Sequence, residues 1–569
     1  MHKFLLLAFM IIFASCAAKE AAPPTAEVEK KPAAEQQQAT TDLSKLGTVN
    51  FPVSCSPNAA VHLTRGLALL HHMTYGLANK EFQTATSLDP QCAIGYWGQA
   101  MAGIHPLWSD KPTEKLFNSG KSLLAKAAAS TNKSEREADY IIASQQYYTP
   151  GWTADEKANL QAFEKGWEAV YNKYPDDLEA RSLYALSFLA NADPQDKSYA
   201  RQISTGQLLE RVLAEVPDHP GAHHYTIHAF DYPPLAERAL DVAYNYGSIA
   251  PDIPHALHMP THIFTRLGLW DDSIEMNKRS AAAALKNPAG GAISLHYLHA
   301  LDYLAYSYLQ KGQDLKAREV RNTIEALKGP IQKHVASSYT LASVSARLAM
   351  ERHDWQQASE VQAQTPGDYP IGAHPAMFAI THFARALGAA NSGQEELAKE
   401  EIAILGRLQE QESKSSAYWA KQVEIQQLSA VAWLTYNQGL KEQGLNVMKK
   451  AADLEASTDK HPITPGEILP AGELYGDMLA ESEKYADALK QYEKALVRSP
   501  NRLNSLWGAA HTAELTGDMG KAFWYYTKFV ELTKDAEIEM ENVNKAKAFL
   551  GMIEKKKEEI KEKKNKQNG

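Results

Sequence analysis

The stretch AAVHLTRGLALLHHMTYGLANKEFQTATSLDP, Ala59 to Pro90, decides the fold once it is laid over LPAGELYGDMLAESEKYADALKQYEKALVRSP, Leu469 to Pro500. Gly66 falls on Gly476, Ala78 on Ala488, Phe82 on Tyr492, Ala85 on Ala495 and Pro90 on Pro500. Apolar residues in both recur at intervals of three and four, the period of an amphipathic helix. Two helices cross closely only where neither presents a large side chain at the contact, which is what the matched glycines and alanines supply. Each stretch therefore reads as a helical hairpin with an apolar face left to bury on a neighbour. A chain of 569 residues made of such units is an elongated array, not one oversized core.

The pattern resembles the tetratricopeptide repeat (TPR), a 34-residue helix-turn-helix with small residues at the helix contact, an aromatic in the second helix and a closing Pro. The register places repeats near Ala59, Ala93, Pro220, Pro254, Leu298, Thr340, Ala379, Lys421, Leu469 and Leu503. Residues 106–215 and 280–297 fit less regularly and read as hairpins with longer connections. The resemblance covers most of residues 55 to 534. It implies an all-α, TPR-like helical-hairpin solenoid wound as a right-handed superhelix, and a scaffold for binding; it names no activity. From about Asp535 the chain becomes Lys/Glu-rich and ends in EKKKEEIKEKKNKQNG, a charged helix suited to capping the array.

Composition excludes several classes. With 44% hydrophobic and 22% charged residues the chain is globular, and its net charge of −9 gives no footing for nucleic acid. No stretch beyond the N-terminus reaches the ~18 apolar residues of a membrane span. The opening MHKFLLLAFMIIFASC has the layout of an export signal. Its Phe13-Ala14-Ser15-Cys16 end resembles the lipobox of bacterial lipoproteins, with Phe13 where that family usually has Leu. The resemblance implies lipidation of Cys16 and a lipid anchor in the bacterial cell envelope. The expected organisation is a signal peptide over 1–15, a flexible tether over 16–50, poor in large apolar residues, the solenoid over 51–534, and a capping helix with charged tail over 535–569. Thirty flexible residues give a reach of roughly 30 Å. Cys55 and Cys92 are the remaining cysteines; both precede helices that the repeat register makes neighbours, and export to an oxidising compartment predicts a disulfide between them.

The centre of the chain carries its chemistry. Nine of the 20 histidines fall between His219 and His299, in HPGAHHYTIHAFDYP, in HALHMPTHIFTRLGLW and in the helix that follows. His224 and His228, like His258 and His262, are four apart, so each pair stacks on one helix face. In the tetratricopeptide family the second, fifth, ninth, twelfth and thirteenth positions of the first helix line the concave groove. Here those positions hold His224, His228 and Asp231 in one repeat, His255, His258, His262 and Arg266 in the next, and His299, Asp302 and Tyr306 in the third. Convergent imidazoles with carboxylates beside them are what a divalent transition metal such as Zn, Cu or Fe takes as ligands, so His224, His228, His255, His258, His262, His299, Asp231 and Asp302 are the candidate metal residues. Asp231 and Asp302 complete the first shell or orient an imidazole from outside it. Arg266 and Tyr306 are candidates for contacting an anionic or polar ligand.

A groove histidine also serves simply as a hydrogen-bonding contact to bound peptide, and His219 and His296, just before helix starts, read as caps or packing. No HExxH, GxSxG, Walker or dinucleotide motif occurs. Two readings remain open: a scaffold whose histidine-rich groove binds a protein, a peptide or a small ligand, directly or through a metal ion, and a metal-dependent enzyme, hydrolytic or oxidative, with its site in the same groove. The first two repeats present Leu63, Leu67, Leu70, Ile94, Trp97, Met101 and Ile104 at groove positions. An open apolar trough of that size invites aggregation, so the segment around Phe51 and Pro52 is expected to seal it.

Overall fold

The computed structural model describes residues 41–108, 111–362, 366 and 369–567; the signal peptide, Cys16 and the tether up to residue 40 lie outside the described residues. Among the described residues the regular structure is helix, with three isolated bridges and no strand. Helices pack in sequence as twelve hairpins, with a last long helix, Glu541–Gln567, after them. Each of the ten repeats expected from the register begins within five residues of a hairpin's first helix, from Pro57–His71 and Ala93–Met101 to Ala471–Glu481 and Leu503–Leu515. The irregular region supplies two further hairpins, led by Glu135–Gln146 and Leu178–Ala190. The chain is an all-α helical-hairpin solenoid.

Local chemistry fixes the helix starts. Pro57, Pro220, Pro254 and Pro375 occupy first-turn positions, where the missing N–H leaves nothing unpaired. Ser134 and Glu137 form a capping box, each bonding the other's backbone. At both ends of the array the hairpins then lock through aromatic wedges. Phe82 is fully buried between Gly66 of its own hairpin and Gly98 of the next; a Cβ at those glycines would sit 2.8 and 2.3 Å from its ring. Tyr492 stands in the same way between Gly476 and Gly508, at 2.8 and 2.4 Å. Both wedges have a glycine sixteen residues before and sixteen after, so one contact ties each hairpin internally and to its successor.

One expectation changes. Residues 41–50, expected as part of the tether, dock against the body: Leu46 is buried and its carbonyl accepts from His72 Nε2 at 3.1 Å, while the Asn50 N–H donates to Glu179 at 2.9 Å. Few apolar residues are needed for this, since the strap is held largely by its backbone polar groups. Phe51 lies against Trp97 and Tyr140, at 5.8 and 6.2 Å between ring centres, and covers the apolar faces of the first hairpins. Cys55 and Cys92 form a disulfide with Cα atoms 5.0 Å apart.

The concave side is also filled elsewhere. The 457–470 connection runs across it, with Ile463, Thr464, Ile468 and Leu469 buried. The Tyr303 hydroxyl reaches the carbonyls of Pro462 and Thr464, both at 3.1 Å, and Arg347 donates to the carbonyls of Gly466 and Glu467, both at 2.8 Å. Beyond it, buried Arg502 is clasped by Glu351 and Glu473 at 2.8–2.9 Å, joining the last hairpins to the middle of the array. The 48-residue interval between the expected repeats at Lys421 and Leu469, against a period of 34, was the trace of this insertion.

The wedge predicts opposite signs at two glycines. Gly98→Ala drives a methyl into Phe82 and should destabilise the protein by about 1–3 kcal/mol, whereas Gly76→Ala, in open space in the second helix, should be neutral or stabilising by up to about 1 kcal/mol. Chemical denaturation of both variants checks this; equal effects would contradict the wedge.

Candidate metal centre

Three successive first helices, Pro220–Phe230, the pair Pro254–His258 and Pro260–Leu267, and Leu295–Gln310, bring their histidines to one region. The middle element is one helical run broken at Pro260, which has no N–H to continue the ladder. The side chains do not meet at one point, as a single trough would require, but in two adjoining sets of three. His224, His228 and His255 form one, and His258, His262 and His299 the other, with one nitrogen per residue lying within 4.8 Å of the other two in each set. His228 and His262 connect them, ring centres 6.4 Å apart.

Hydrogen bonds on the far side of the rings fix which nitrogen faces inward. Asn277 donates from Nδ2 to the Ser273 carbonyl at 2.8 Å, so its Oδ1 faces His258 Nδ1, 2.8 Å away, and that nitrogen must donate. His262 Nδ1 lies 2.9 Å from Asp231 Oδ2, a carboxylate oxygen, and donates as well. Both Nε2 atoms are then bare, and they stand 3.2 Å apart. Two imidazole lone pairs facing each other at that distance repel unless a cation lies between them. His224 Nδ1 likewise donates to the His71 carbonyl at 2.7 Å, which bares its Nε2, 3.2 Å from His228 Nε2.

The surroundings keep these rings neutral. Burial, with like-charged neighbours adding, holds His224, His255, His258 and His299 well below the ordinary imidazole value and brings His228 to about 3. Burial also outweighs the pull of Asp231 on His262. Asp231 stays ionised: burial pushes it up, but Lys460 and Arg266 more than reverse that.

Four expected ligands have other work. Asp231 is not in either set; it holds His262 and accepts from Arg266 Nε at 2.8 Å and from Lys460 at 3.3 Å. Arg266 is therefore buried and spent on Asp231 rather than presented to a ligand. Asp302 accepts from the Ser343 hydroxyl and faces Arg347 at 3.6 Å. Tyr306 lies under Arg347 and accepts from Arg502, within the closure of the array. Groove register predicts direction from one helix, while these pairings depend on side chains arriving from the next hairpin, from the 457–470 segment and from Arg502 near the end of the array.

A third cluster, His71, Glu179 and His219, is fully buried and was missed, because His71 of the first hairpin is far in sequence from the other two. Its hydrogen bonds give it a different character. His219 Nδ1 accepts from the Ala222 N–H at 3.0 Å, so its Nε2–H faces Glu179 at 3.3 Å; His71 Nε2 meets the same oxygen at 2.8 Å while its Nδ1 pairs with the Tyr225 hydroxyl at 2.9 Å. Every nitrogen is satisfied, and the triad is an internal clasp. His219 also caps its helix, as its position suggested.

No protein-family model matches the chain, and no curated protein matches it. Among solved structures it is similar to the APC/C hetero-tetramer Cut9-Hcn1, at 11% identity over 87% of this chain and 76% of that one with a TM-score of 0.32. It is similar to the yeast Tom70, at 11% identity, 87% and 96% coverage and a TM-score of 0.29. A monomeric mutant of IFIT1 with Gppp-AAAA gives 13% identity, 85% and 92% coverage and a TM-score of 0.34. At these scores the likenesses carry no functional argument, and the fold rests on the helices themselves.

Histidines held neutral by burial make the protein acid-sensitive. Burial brings His72 to about 3, and His296 and His461 to about 4, from an unfolded value near 6.5. Their folded values are depressed, so the stability they contribute is present above pH 6.5 and is lost as pH falls toward 3–4, at up to about 1.4 kcal/mol per pH unit for each ring. Thermal unfolding of chelator-treated protein should shift steadily downward between pH 7 and 4; a flat profile over that range would show the rings titrating normally.

Proposed function

We propose that this protein is a metal-binding helical-repeat scaffold of the bacterial envelope, anchored through Cys16, whose central histidines hold a late first-row divalent ion. The observation that carries the reading is the pair of bare Nε2 atoms of His258 and His262, 3.2 Å apart with both Nδ1 hydrogens committed elsewhere. A metal about 2.05 Å from each would span them at close to the tetrahedral angle, for which two nitrogens lie about 3.3 Å apart. The alternative bridge, a proton shared between the rings, requires an imidazolium in a buried site where Arg266 and Lys460 already neutralise Asp231. An all-imidazole set suits Zn, Cu or Fe and not the oxygen-seeking Mg or Ca. Asp231 and Asn277 are the partners that orient the ligand rings.

Burial favours an internal centre over an exposed peptide groove, since the chain's own 457–470 segment occupies the concave side at this level. A protein partner would engage another face. Three protein nitrogens leave a fourth position for water or substrate, which keeps a metal-dependent enzyme, hydrolytic or oxidative, as the second reading.

Metal analysis of the purified protein should find a transition ion, and the chelator-stripped protein should rebind Zn²⁺ with micromolar or tighter affinity by calorimetry. His258→Gln should lower that affinity by tenfold or more while keeping the helical circular dichroism. A stripped, folded wild type that takes up neither Zn²⁺ nor Cu²⁺ would overturn the reading.

A further inference from the structure

We infer that the chain holds two ions side by side, the second in the His224, His228 and His255 set; this rests on the reading of the first centre. The two sets repeat one design. Each takes a pair of histidines four apart on a first helix, with Nε2 atoms 3.2 Å apart, and adds a third ring from the helix next along the array. In each, an Nδ1 is tied to an acceptor behind the ring, the His71 carbonyl in one and Asn277 and Asp231 in the other, which turns the lone pair inward.

An independent observation comes from His255. It is only 7% exposed, yet neither of its ring nitrogens has a hydrogen-bond partner. Its ring stands 4.9 Å from that of His224 and 5.3 Å from that of His296. A buried imidazole with both nitrogens unpaired is costly, and every nitrogen of the His71, Glu179 and His219 clasp is paired. The unpaired ring lies where a third ligand is needed.

The two sets offer six neutral nitrogens and no carboxylate. Asp231, the nearby anion, is already matched by Arg266 and Lys460. Two dications in such a shell leave charge uncompensated, so the pair binds a small anion such as hydroxide in its open positions. The geometry thus points to a two-ion centre whose exogenous ligand is anionic.

Stoichiometry separates this inference from the reading beneath it. Chelator-stripped full-length protein titrated with Zn²⁺ alone should bind two equivalents, and with Cu²⁺ alone the doubly loaded protein should lose paramagnetic resonance intensity relative to the singly loaded form if the ions share a bridge. His255→Gln should remove one equivalent and leave the other; His258→Gln should do the converse; His71→Gln, in the clasp, should lower thermal stability without changing the count. One equivalent in the wild type, insensitive to His255→Gln, overturns the second ion and leaves the first. No uptake overturns both. Wild-type stoichiometry decides the matter even where a variant does not fold.

Discussion

The close approach of helices at glycine is the constraint on which this architecture depends. An aromatic ring on the second helix of a hairpin can lie flat against two first helices only where both lack a Cβ. Phe82 between Gly66 and Gly98, and Tyr492 between Gly476 and Gly508, show the contact at both ends of the array. It does two things at once, since the ring closes its own hairpin and sets the step to the next. Repeating that step lays successive first helices side by side, so that residues about 34 apart in sequence face the same way. The histidines gather because successive first helices lie side by side.

What gathers is then enclosed. A solenoid of this kind ordinarily leaves its inner surface to solvent, but here the N-terminal strap covers the first hairpins and the 457–470 segment crosses the inner face farther on. Arg502, fully buried and bonded to both Glu351 and Glu473, ties the end of the array to its middle. Buried charges are tolerable only when paired and hydrogen-bonded, and the pairing of Asp231 with Arg266 and Lys460 obeys the same rule. Enclosure changes the chemistry of the imidazoles, because a low-dielectric interior disfavours their charged form and leaves lone pairs available at neutral pH.

Hydrogen-bond roles, more than residue types, separate a site from a clasp. His71 and His219 share Glu179 with every nitrogen satisfied, whereas His224, His258 and His262 of the two central sets spend their outer nitrogens on acceptors and turn bare ones toward a neighbouring ring. A list of nearby histidines would treat the three clusters alike. Only the acceptors behind the rings, an asparagine whose orientation its second hydrogen bond fixes, a carboxylate and a backbone carbonyl, distinguish them.

Sequence alone determined the hairpin architecture, the helix starts, the pairing of Cys55 with Cys92 and the nearness of the six central histidines, because each follows from local periodicity or from a fixed repeat interval. It read direction along a helix correctly and therefore placed His224, His228, His255, His258, His262 and His299 on one side. It could not tell that these six divide into two sets, since that division, between His255 and His258 of one helix, depends on the step between helices. Nor could it foresee that Asp231 orients a ring, that Arg266 and Tyr306 are enclosed, or that residues 41–50 dock. Those outcomes belong to tertiary structure, because each is decided by a partner far away in sequence: Lys460 for Asp231, Arg502 for Tyr306, and His72 and Glu179 for the strap.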